Sequence, residues 1–285
     1  MEIPIQEDST ALVLWALWQH FARYKDIEFV RTLYRPLIIR VADFLEDYRM
    51  ETTGLPRPSY DLWEERHGVH TFTVATVYGG LMAAAHFAES FGERHLAEKY
   101  RKAAAEIQEA TGRVLYSPQA QRFARGFDPN TGELDLTIDA SLFGVVAFGL
   151  LPVDDPKVIS TMRQVEERLT VRTDIGGIAR YERDWFLHAT GDFRQVPGNS
   201  WIICTLWLAQ YKITAALTLE QLQGVIDILK WVVRHARPSG VLPEQLHPFG
   251  DRPISVCPLS WSHAEVIITV MDYLDKYHQL RRKEQ

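Results

Sequence analysis

The sequence contains very little cysteine and no hydrophobic run long enough to cross a membrane. Cys204 and Cys257 are its only cysteines, which excludes a disulfide framework and a Cys-x-x-Cys metal motif. No stretch of 18 consecutive apolar residues occurs, so the sequence predicts no membrane-spanning helix. The first ten residues show no basic segment followed by an apolar core. On these grounds we expect a cytoplasmic protein without a signal peptide.

Excess positive charge and metal-ligand spacing are also missing. The chain carries 31 Lys and Arg against 37 Asp and Glu, a formal net charge of −6, which argues against nucleic acid as the main partner. His67 and His70 have no third ligand spaced nearby. Asp128–Glu133 is typical of a tight turn rather than a calcium loop, because Gly132 occupies the fifth position. We therefore expect no metal.

Helical periodicity dominates what the sequence does contain. Apolar residues recur at helical spacing through most of the chain, and no Ser/Gly/Pro-rich linker divides it, which predicts one all-α domain over residues 1–285. Nine helices are predicted, at about 9–22, 27–48, 71–92, 94–110, a short one ending at 151, and 155–169, 201–212, 218–238 and 262–280. In the first helix we expect Asp8 or Ser9 to be the cap, and an inward face of Leu12, Trp15, Ala16 and Phe21.

Two acidic loops are the candidates for chemistry. "PSYDLWEERHGVHTFT", residues 58–73, places Trp63, Glu64 and Glu65 together in a loop, where an indole suits a sugar ring and carboxyl groups suit proton transfer. "VLPEQLHPF" supplies a second loop acid, Glu244. Glycoside hydrolysis needs two such carboxyl groups, one on each side of the scissile bond. From the pattern alone, solvated loop acids remain the alternative.

Four motifs together resemble glucoamylases, glycoside hydrolase family 15. "GLPRPSYDLWEERHGVHTFTVATVYGGL" resembles the general-acid segment of that family, and "GGIARYERDWF" followed by "PGNSWIICTLWLAQ" resembles a substrate-binding loop. "GVLPEQ" with "LSWSHAEVI" resembles the catalytic-base segment, and "PIQEDSTALVLWALWQHF" resembles a helix after a Gln-x-Asp loop. The motifs occur in the family's order over nearly all of the chain. The resemblance implies an (α/α)6 toroid.

The resemblance also implies a role for each matched residue. Glu64 matches the general acid, and Glu244 matches the general base that activates water for single-step displacement with inversion. The two carboxyl groups of an inverting enzyme are expected to lie roughly 6.5–9.5 Å apart. Matched substrate contacts are Asp61, Trp63, Glu65, Arg180, Asp184 and Trp201.

Structural roles compete with several of these assignments. Asp61 is alternatively a turn residue or a cap, and Arg180 alternatively pairs with Asp184 or Glu182. Trp207 and Trp231 lie at core spacing on helices and are expected to pack.

The implied activity is that of an inverting exo-acting α-glucosidase, which releases glucose from the non-reducing ends of α-glucans. No cofactor is implied, because two carboxyl groups and a water suffice. Glucodextranase-like or trehalase-like specificity is one alternative, and a carbohydrate-binding or regulatory protein of the same fold without turnover is another.

An incomplete toroid is a further expectation from the resemblance. The match begins at the family's fourth helix, so about nine of twelve helices are expected, without the N-terminal part of the catalytic domain. Besides an α-glucan or maltooligosaccharide substrate, we expect the partner to be a second copy of the chain or the missing N-terminal segment.

Overall fold

The computed structural model describes residues 5–283, which group into two compact units. The first unit comprises residues up to Leu136 together with Gly144–Pro152. The second comprises Thr137–Phe143 together with the residues from Val153 onward. Helices dominate both units, which confirms the predicted all-α class. None of the helices within residues 5–283 combines the length and the apolar character that a membrane span requires.

Seven helical segments build the first unit. They are α1 (Glu7–Tyr24), α2 (Ile27–Leu33), a π-helical segment (Tyr34–Ile39), α3 (Arg40–Asp47), α4 (Thr71–Ser90), α5 (Arg94–Val114) and α6 (Gly144–Ala147). The central helix α4 is buried on nearly every side and packs against both α1 and α5. Small residues permit this approach: a Cβ on Gly80 would lie 3.0 Å from the Ala11 carbonyl oxygen of α1.

The rod from α2 to α3 stays helical through Pro36, which has no backbone N–H. Proline cannot continue the α-helical ladder and its ring clashes with the preceding turn. The six residues of Tyr34–Ile39 adopt the wider π-helical geometry instead, which accommodates the missing bond. The predicted single helix at 27–48 is thereby observed in three consecutive segments.

The first helix begins earlier than predicted and has a shifted inner face. It starts at Glu7, its cap position is Gln6, and neither Asp8 nor Ser9 caps it. The buried side chains are Glu7, Asp8, Ala11, Leu14 and Phe21, while the predicted Ala16 is exposed. Asp8, one of the two expected caps, instead lies inside the first turn with its side chain buried.

The second unit contains the remaining helices. They are a 3-10 turn (Ala140–Phe143), α7 (Pro156–Leu169), α8 (Ile202–Ala215), α9 (Leu219–Gln223), α10 (Val225–His235) and α11 (Ser260–Lys283). Asp155 caps α7, accepting from the Lys157 amide at 2.7 Å with Pro156 at the first position. Thr218 caps α9, accepting from the Gln221 amide at 3.2 Å. Both starts confirm the predictions from capping residues.

Short antiparallel strands organise the loops. The first unit contains a sheet in the order β1-β2-β5-β6 and a separate hairpin of β3 and β4. Their ranges are β1 Ser59–Tyr60, β2 His67–His70, β3 Tyr116–Ser117, β4 Arg122–Phe123, β5 Gly126–Phe127 and β6 Leu134–Asp135. The second unit contains a sheet in the order β10-β9-β8-β7. Its strands are β7 Ile178–Ala179, β8 Ser200–Trp201, β9 Gln245–Leu246 and β10 Pro253–Ile254.

Candidate active site

The predicted site residues fall into two groups, one in each unit. In the first unit, β1 and β2 pair with Tyr60 opposite His67, and residues 61–66 form the connecting loop. Asp61 closes this loop. Its amide donates to the Arg66 carbonyl at 2.8 Å, and its Oδ1 accepts from the amides of Glu65 at 2.8 Å and Arg66 at 3.1 Å.

Asp61 therefore has the turn role that competed with substrate contact. Its side chain is buried, and Oδ2 accepts no hydrogen bond from the described residues, although the Arg66 guanidinium lies 3.8 Å away. An ionised acceptor that binds two backbone amides is a strong organiser of a short loop.

Glu64 occupies the exposed tip of this loop. Its backbone has a φ of 59°, in the left-handed region that non-glycine residues seldom adopt. Its amide donates to the Asp61 carbonyl at 2.9 Å, and none of the described residues forms a hydrogen bond with its carboxyl group. The neighbouring Glu65 accepts from Arg66 at 2.9 Å, and Trp63 is buried. Only Glu64 thus presents an exposed, unengaged carboxyl group on a backbone held by its neighbours.

Two buried acids at the start of α1 lie beside the loop. The Gln6 side chain donates to the Asp61 carbonyl at 3.3 Å. Glu7 is fully buried and neither of its carboxyl oxygens has a hydrogen-bond partner among the described residues. Burial raises the pKa of Glu7 to about 9, and the charge of Asp8 adds to the rise.

The carboxyl group of Asp8 interacts electrostatically with the acids of the loop. The pKa of Asp8 is raised to about 6, chiefly by burial. The negative charges of Asp61 and Glu64 add to the rise, and hydrogen bonds from Ser9 oppose it. The start of α1 and the hairpin loop thus form one cluster of interacting carboxyl groups. We did not predict this cluster, and the Gln-x-Asp motif was the one signal that pointed to it.

Arg180 and Asp184 form a buried pair in the second unit. The Arg180 fork donates from Nε to Oδ2 at 2.9 Å and from a terminal nitrogen to Oδ1 at 2.8 Å. The guanidinium also stacks on aromatic rings, with Trp201 at 5.0 Å and Phe186 at 5.3 Å from its carbon to the ring centroids. The predicted alternative, a pair with Asp184, is therefore observed, and the aromatic rings fix the plane of the fork.

Glu182, the other candidate partner of Arg180, is engaged elsewhere. It forms an ion pair with Arg168 and accepts from the Ile138 amide at 3.0 Å.

Glu244 precedes the central strand β9 and is held by its backbone on both sides. Its amide donates to the Val256 carbonyl at 3.0 Å, and its carbonyl accepts from the Ile202 amide at 3.2 Å. Its half-buried side chain accepts from the Gln245 side-chain nitrogen at 3.1 Å. That leaves Oε1 without a hydrogen-bond partner among the described residues. This carboxylate thus has a fixed position and an oxygen that can accept a proton.

The start of α11 supports the same segment. Ser262 donates its hydroxyl to the Pro243 carbonyl at 2.8 Å, and the Leu242 amide donates to His263 Nε2 at 3.1 Å. A backbone N–H can only donate, so Nε2 of His263 is the acceptor in this bond.

Groups that suit a metal are not found in the described part of the chain. No three residues of His, Cys, Asp or Glu approach one another closely enough there to hold an ion. Asp128–Glu133 forms the predicted tight turn, in which the Asp128 amide donates to the Glu133 carbonyl at 3.0 Å.

Comparison with known proteins finds a family match and several relatives. Residues 4–230 match the sequence pattern of glycosyl hydrolases family 15. A protein of Methanocaldococcus jannaschii, described as an uncharacterized glycosyl hydrolase, is 31% identical over 278 residues, which cover 94% of this chain and 42% of that protein. A glucoamylase of Clostridium sp. is 27% identical, covering 83% and 36%, and a trehalase of Mycobacterium tuberculosis is 26% identical, covering 80% and 30%. The chain thus spans less than half the length of these curated relatives.

Solved structures share the fold. A bacterial glucoamylase complexed with acarbose matches with a TM-score of 0.78 at 22% identity, covering 97% of this chain and 42% of that chain. A glucoamylase from Saccharomycopsis fibuligera matches with a TM-score of 0.74 at 15% identity, covering 95% and 70%. At these identities the likeness establishes the fold, and it confirms the predicted relation to the glucoamylase toroid.

Proposed function

The chain belongs to glycosyl hydrolase family 15, and from that premise we propose that it hydrolyses α-glucosidic bonds and releases glucose from the non-reducing ends of α-glucans with inversion. The observation that carries the proposal is the match over residues 4–230, which contains the loop of Glu64. Glu244 lies beyond residue 230, so its role rests on the "LPEQ" motif and on its geometry.

Glu64 is proposed as the general acid. A leaving glycosidic oxygen must receive a proton as its bond to the anomeric carbon breaks. The Glu64 carboxyl group is exposed and engaged by no described residue, while Asp61 fixes the backbone around it. It can therefore approach a substrate oxygen without breaking a protein contact.

Glu244 is proposed as the general base. Its Oε2 accepts from Gln245, and Oε1 is available to a water. Removal of a proton from that water as it attacks the anomeric carbon, on the face opposite the leaving group, yields the inverted sugar in one step.

Substrate contacts are proposed for the remaining predicted residues. Trp63 and Trp201, although almost fully buried, are proposed to offer apolar surface to a sugar ring, and the buried Arg180–Asp184 pair is proposed to offer polar groups with fixed orientation. Asp61 and Glu65 are proposed to contribute through the loop that carries them.

Trehalose is the second candidate substrate. Trehalases of Mycobacterium tuberculosis and Mycolicibacterium smegmatis are among the relatives, at 26% and 25% identity. The same two carboxyl groups would serve either bond, so the choice lies in the sugar contacts. A groove that binds glucans without turnover is the alternative from another class.

The proposal is tested by incubating the purified chain with maltotriose, isomaltose, dextran and trehalose and following the products by proton NMR. The expected result is β-glucose as the first product, with maltotriose preferred. Initial release of α-glucose would contradict inversion. Preference for trehalose would favour the second candidate, and binding without any product would favour the non-catalytic alternative.

A further inference from the structure

The amide of Asn199 has one possible orientation. Its Oδ1 accepts from the Ala189 amide at 3.3 Å, and its Nδ2 donates to the Leu187 carbonyl at 2.9 Å. A backbone N–H can only donate and a carbonyl can only accept. The two backbone groups therefore determine which end of the Asn199 side chain is nitrogen.

This orientation passes to Gln245. The same Asn199 nitrogen donates to Gln245 Oε1 at 3.0 Å, and both side chains are almost completely buried. With its oxygen facing Asn199, Gln245 presents its nitrogen on the other side. There Nε2 donates to Glu244 Oε2 at 3.1 Å.

We infer that Asn199 is a positioning residue for the carboxylate of Glu244 and acts through Gln245. It keeps an N–H donor, rather than a carbonyl oxygen, against the proposed general base. This inference rests on the proposed function only for the role of Glu244 as general base, because the hydrogen bonds themselves do not depend on any reaction.

The direction of these hydrogen bonds determines how they affect the ionisation of Glu244. A donor to a carboxylate stabilises the charged form, whereas a carbonyl oxygen in the same place would favour the protonated form. Gln245 is the one side chain among the described residues that forms a hydrogen bond with this carboxylate. His263, a titratable group at the start of α11, accepts from the Leu242 amide and forms no hydrogen bond with the carboxylate.

The loop between Asp184 and Asn199 determines the direction of the hydrogen bonds that lead from Asn199 to Glu244. Trp185 lies at the start of this loop, and its ring is 4.5 Å from that of Phe193. Leu187 and Ala189 are the two residues whose backbone groups contact Asn199. A change in the path of this loop would alter both contacts of Asn199. The loop therefore sets the direction of the donor that reaches Glu244.

The test measures the titration of Glu244 directly and needs no turnover. Protein labelled with carbon-13 at glutamate carboxyl groups is titrated by NMR, and the Glu244 signal is assigned by its loss in Glu244→Gln. Gln245→Leu removes the donor and is expected to move the titration midpoint upward by about one pH unit. Asn199→Leu is expected to move it in the same direction by a smaller step.

The double variant separates action through Gln245 from an independent effect. In Asn199→Leu/Gln245→Leu the midpoint should equal that of Gln245→Leu alone, because the element through which Asn199 acts is gone. Asn130→Leu, in an exposed turn, serves as the control and should not move the midpoint. An unchanged midpoint in Asn199→Leu, or additive shifts in the double variant, would overturn the inference.

Failure of this inference can be distinguished from failure of the proposed function. If Glu244→Gln retained full turnover, the role of Glu244 in catalysis would be wrong, yet the titration would still report whether Asn199 orients Gln245.

Discussion

Neighbouring acids of the hairpin loop have different tasks because their environments differ. Asp61 is buried and its Oδ1 accepts two backbone amides, while Glu64, three residues on, is exposed, and its carboxyl group accepts no hydrogen bond from the described residues. Ionised acceptors inside a loop hold its shape, and an unengaged carboxyl group is available for proton transfer. At the scale of single residues, the loop thus separates an acid held by backbone amides from an acid with an unengaged carboxyl group, which is the proposed general acid.

Replacing Asp61 tests this division. Asp61→Ala leaves two backbone amides without their acceptor, which should destabilise the protein by about 2–4 kcal/mol. It should also reduce turnover at least tenfold, since Glu64 loses its fixed position. Asp61→Asn keeps an oxygen at the same place and is the matched control, expected to lose less than about 1.5 kcal/mol. Thermal unfolding and initial rates give both quantities; equal stability of the two variants would contradict the structural role.

Glu7 predicts a pH dependence of stability. Its pKa in the folded chain, about 9, lies above its ordinary value of 4.5, so the folded protein keeps a proton that the unfolded chain releases. The contribution of Glu7 to the free energy of unfolding is complete below about pH 4.5 and declines as the pH rises towards 9.

Glu7→Gln cannot ionise and should be more stable than the native chain at high pH. We expect a difference on the order of 6 kcal/mol at pH 9, since each of the 4.5 pH units between 4.5 and about 9 is worth about 1.4 kcal/mol. That corresponds to about 10–20 °C in Tm, and almost no difference is expected at pH 4. Thermal unfolding across that range measures it, with the exposed Glu51→Gln as control. A difference that is constant with pH would show that folding does not raise the pKa of Glu7.

The sequence pointed to Glu64 and Glu244 but not to the residues around them. Aromatic and proline neighbours marked those two acids as loop residues and as candidates for catalysis. Nothing local distinguishes Glu7, which is buried although acids at a helix start normally face water. Asn199 lies 45 or more residues from its partners Glu244 and Gln245, and a relation of that kind depends on the fold.

At the scale of elements, periodicity predicted which segments are helical better than how they begin and bend. The helices at α4 and α7 were found from apolar spacing and capping residues, and the structure confirms them. The predicted helix at 218–238 begins at its expected cap but is observed as α9 and α10, with Gly224 between them. The π-helical segment at Pro36 was not predicted, because a proline within an apolar pattern is equally compatible with a kink. Strands of two residues are too short to show any alternation.

The packing beside the antiparallel pair of β7 and β8 requires a residue without a side chain at Gly198. A Cβ there would lie 2.9 Å from the Asp184 Cβ and 3.2 Å from the Ala179 Cβ, and both atoms are attached directly to backbone. Gly198→Ala should therefore destabilise by about 1–3 kcal/mol and displace Asp184 from Arg180. Gly191→Ala, in the same loop with no atom within 4 Å, should be nearly neutral. Similar Tm values for the two variants would contradict the close packing.

At the scale of the whole molecule, one helix face stands out as apolar and exposed. On α11, Ile267 is 60% exposed, Val270 39% and Leu274 48%, and their spacing places them on one stripe. Contiguous exposed apolar surface favours association. The absence of a linker-like segment predicted a single domain, and this stays a prediction. The identity of the partner that would cover this stripe also stays a prediction.

Charge on that stripe should reduce self-association. Ile267→Glu with Leu274→Glu is expected to lower the mass measured by light scattering at high concentration towards that of one chain, without lowering the Tm, since both side chains already face solvent. Ile159→Glu, on the exposed face of α7, is the control. A native chain that stays monomeric at every concentration would contradict this prediction.

The assignment of Glu64 as general acid and Glu244 as general base is tested most directly by comparing two substrates. α-Glucosyl fluoride has a leaving group that departs without a proton, whereas maltotriose requires one. Glu64→Gln should lose about 10²–10⁴-fold in turnover of maltotriose and keep most of its rate on the fluoride. Glu244→Gln should lose about as much on both. Equal losses of Glu64→Gln on both substrates, or near-native rates of Glu244→Gln on either, would contradict the account.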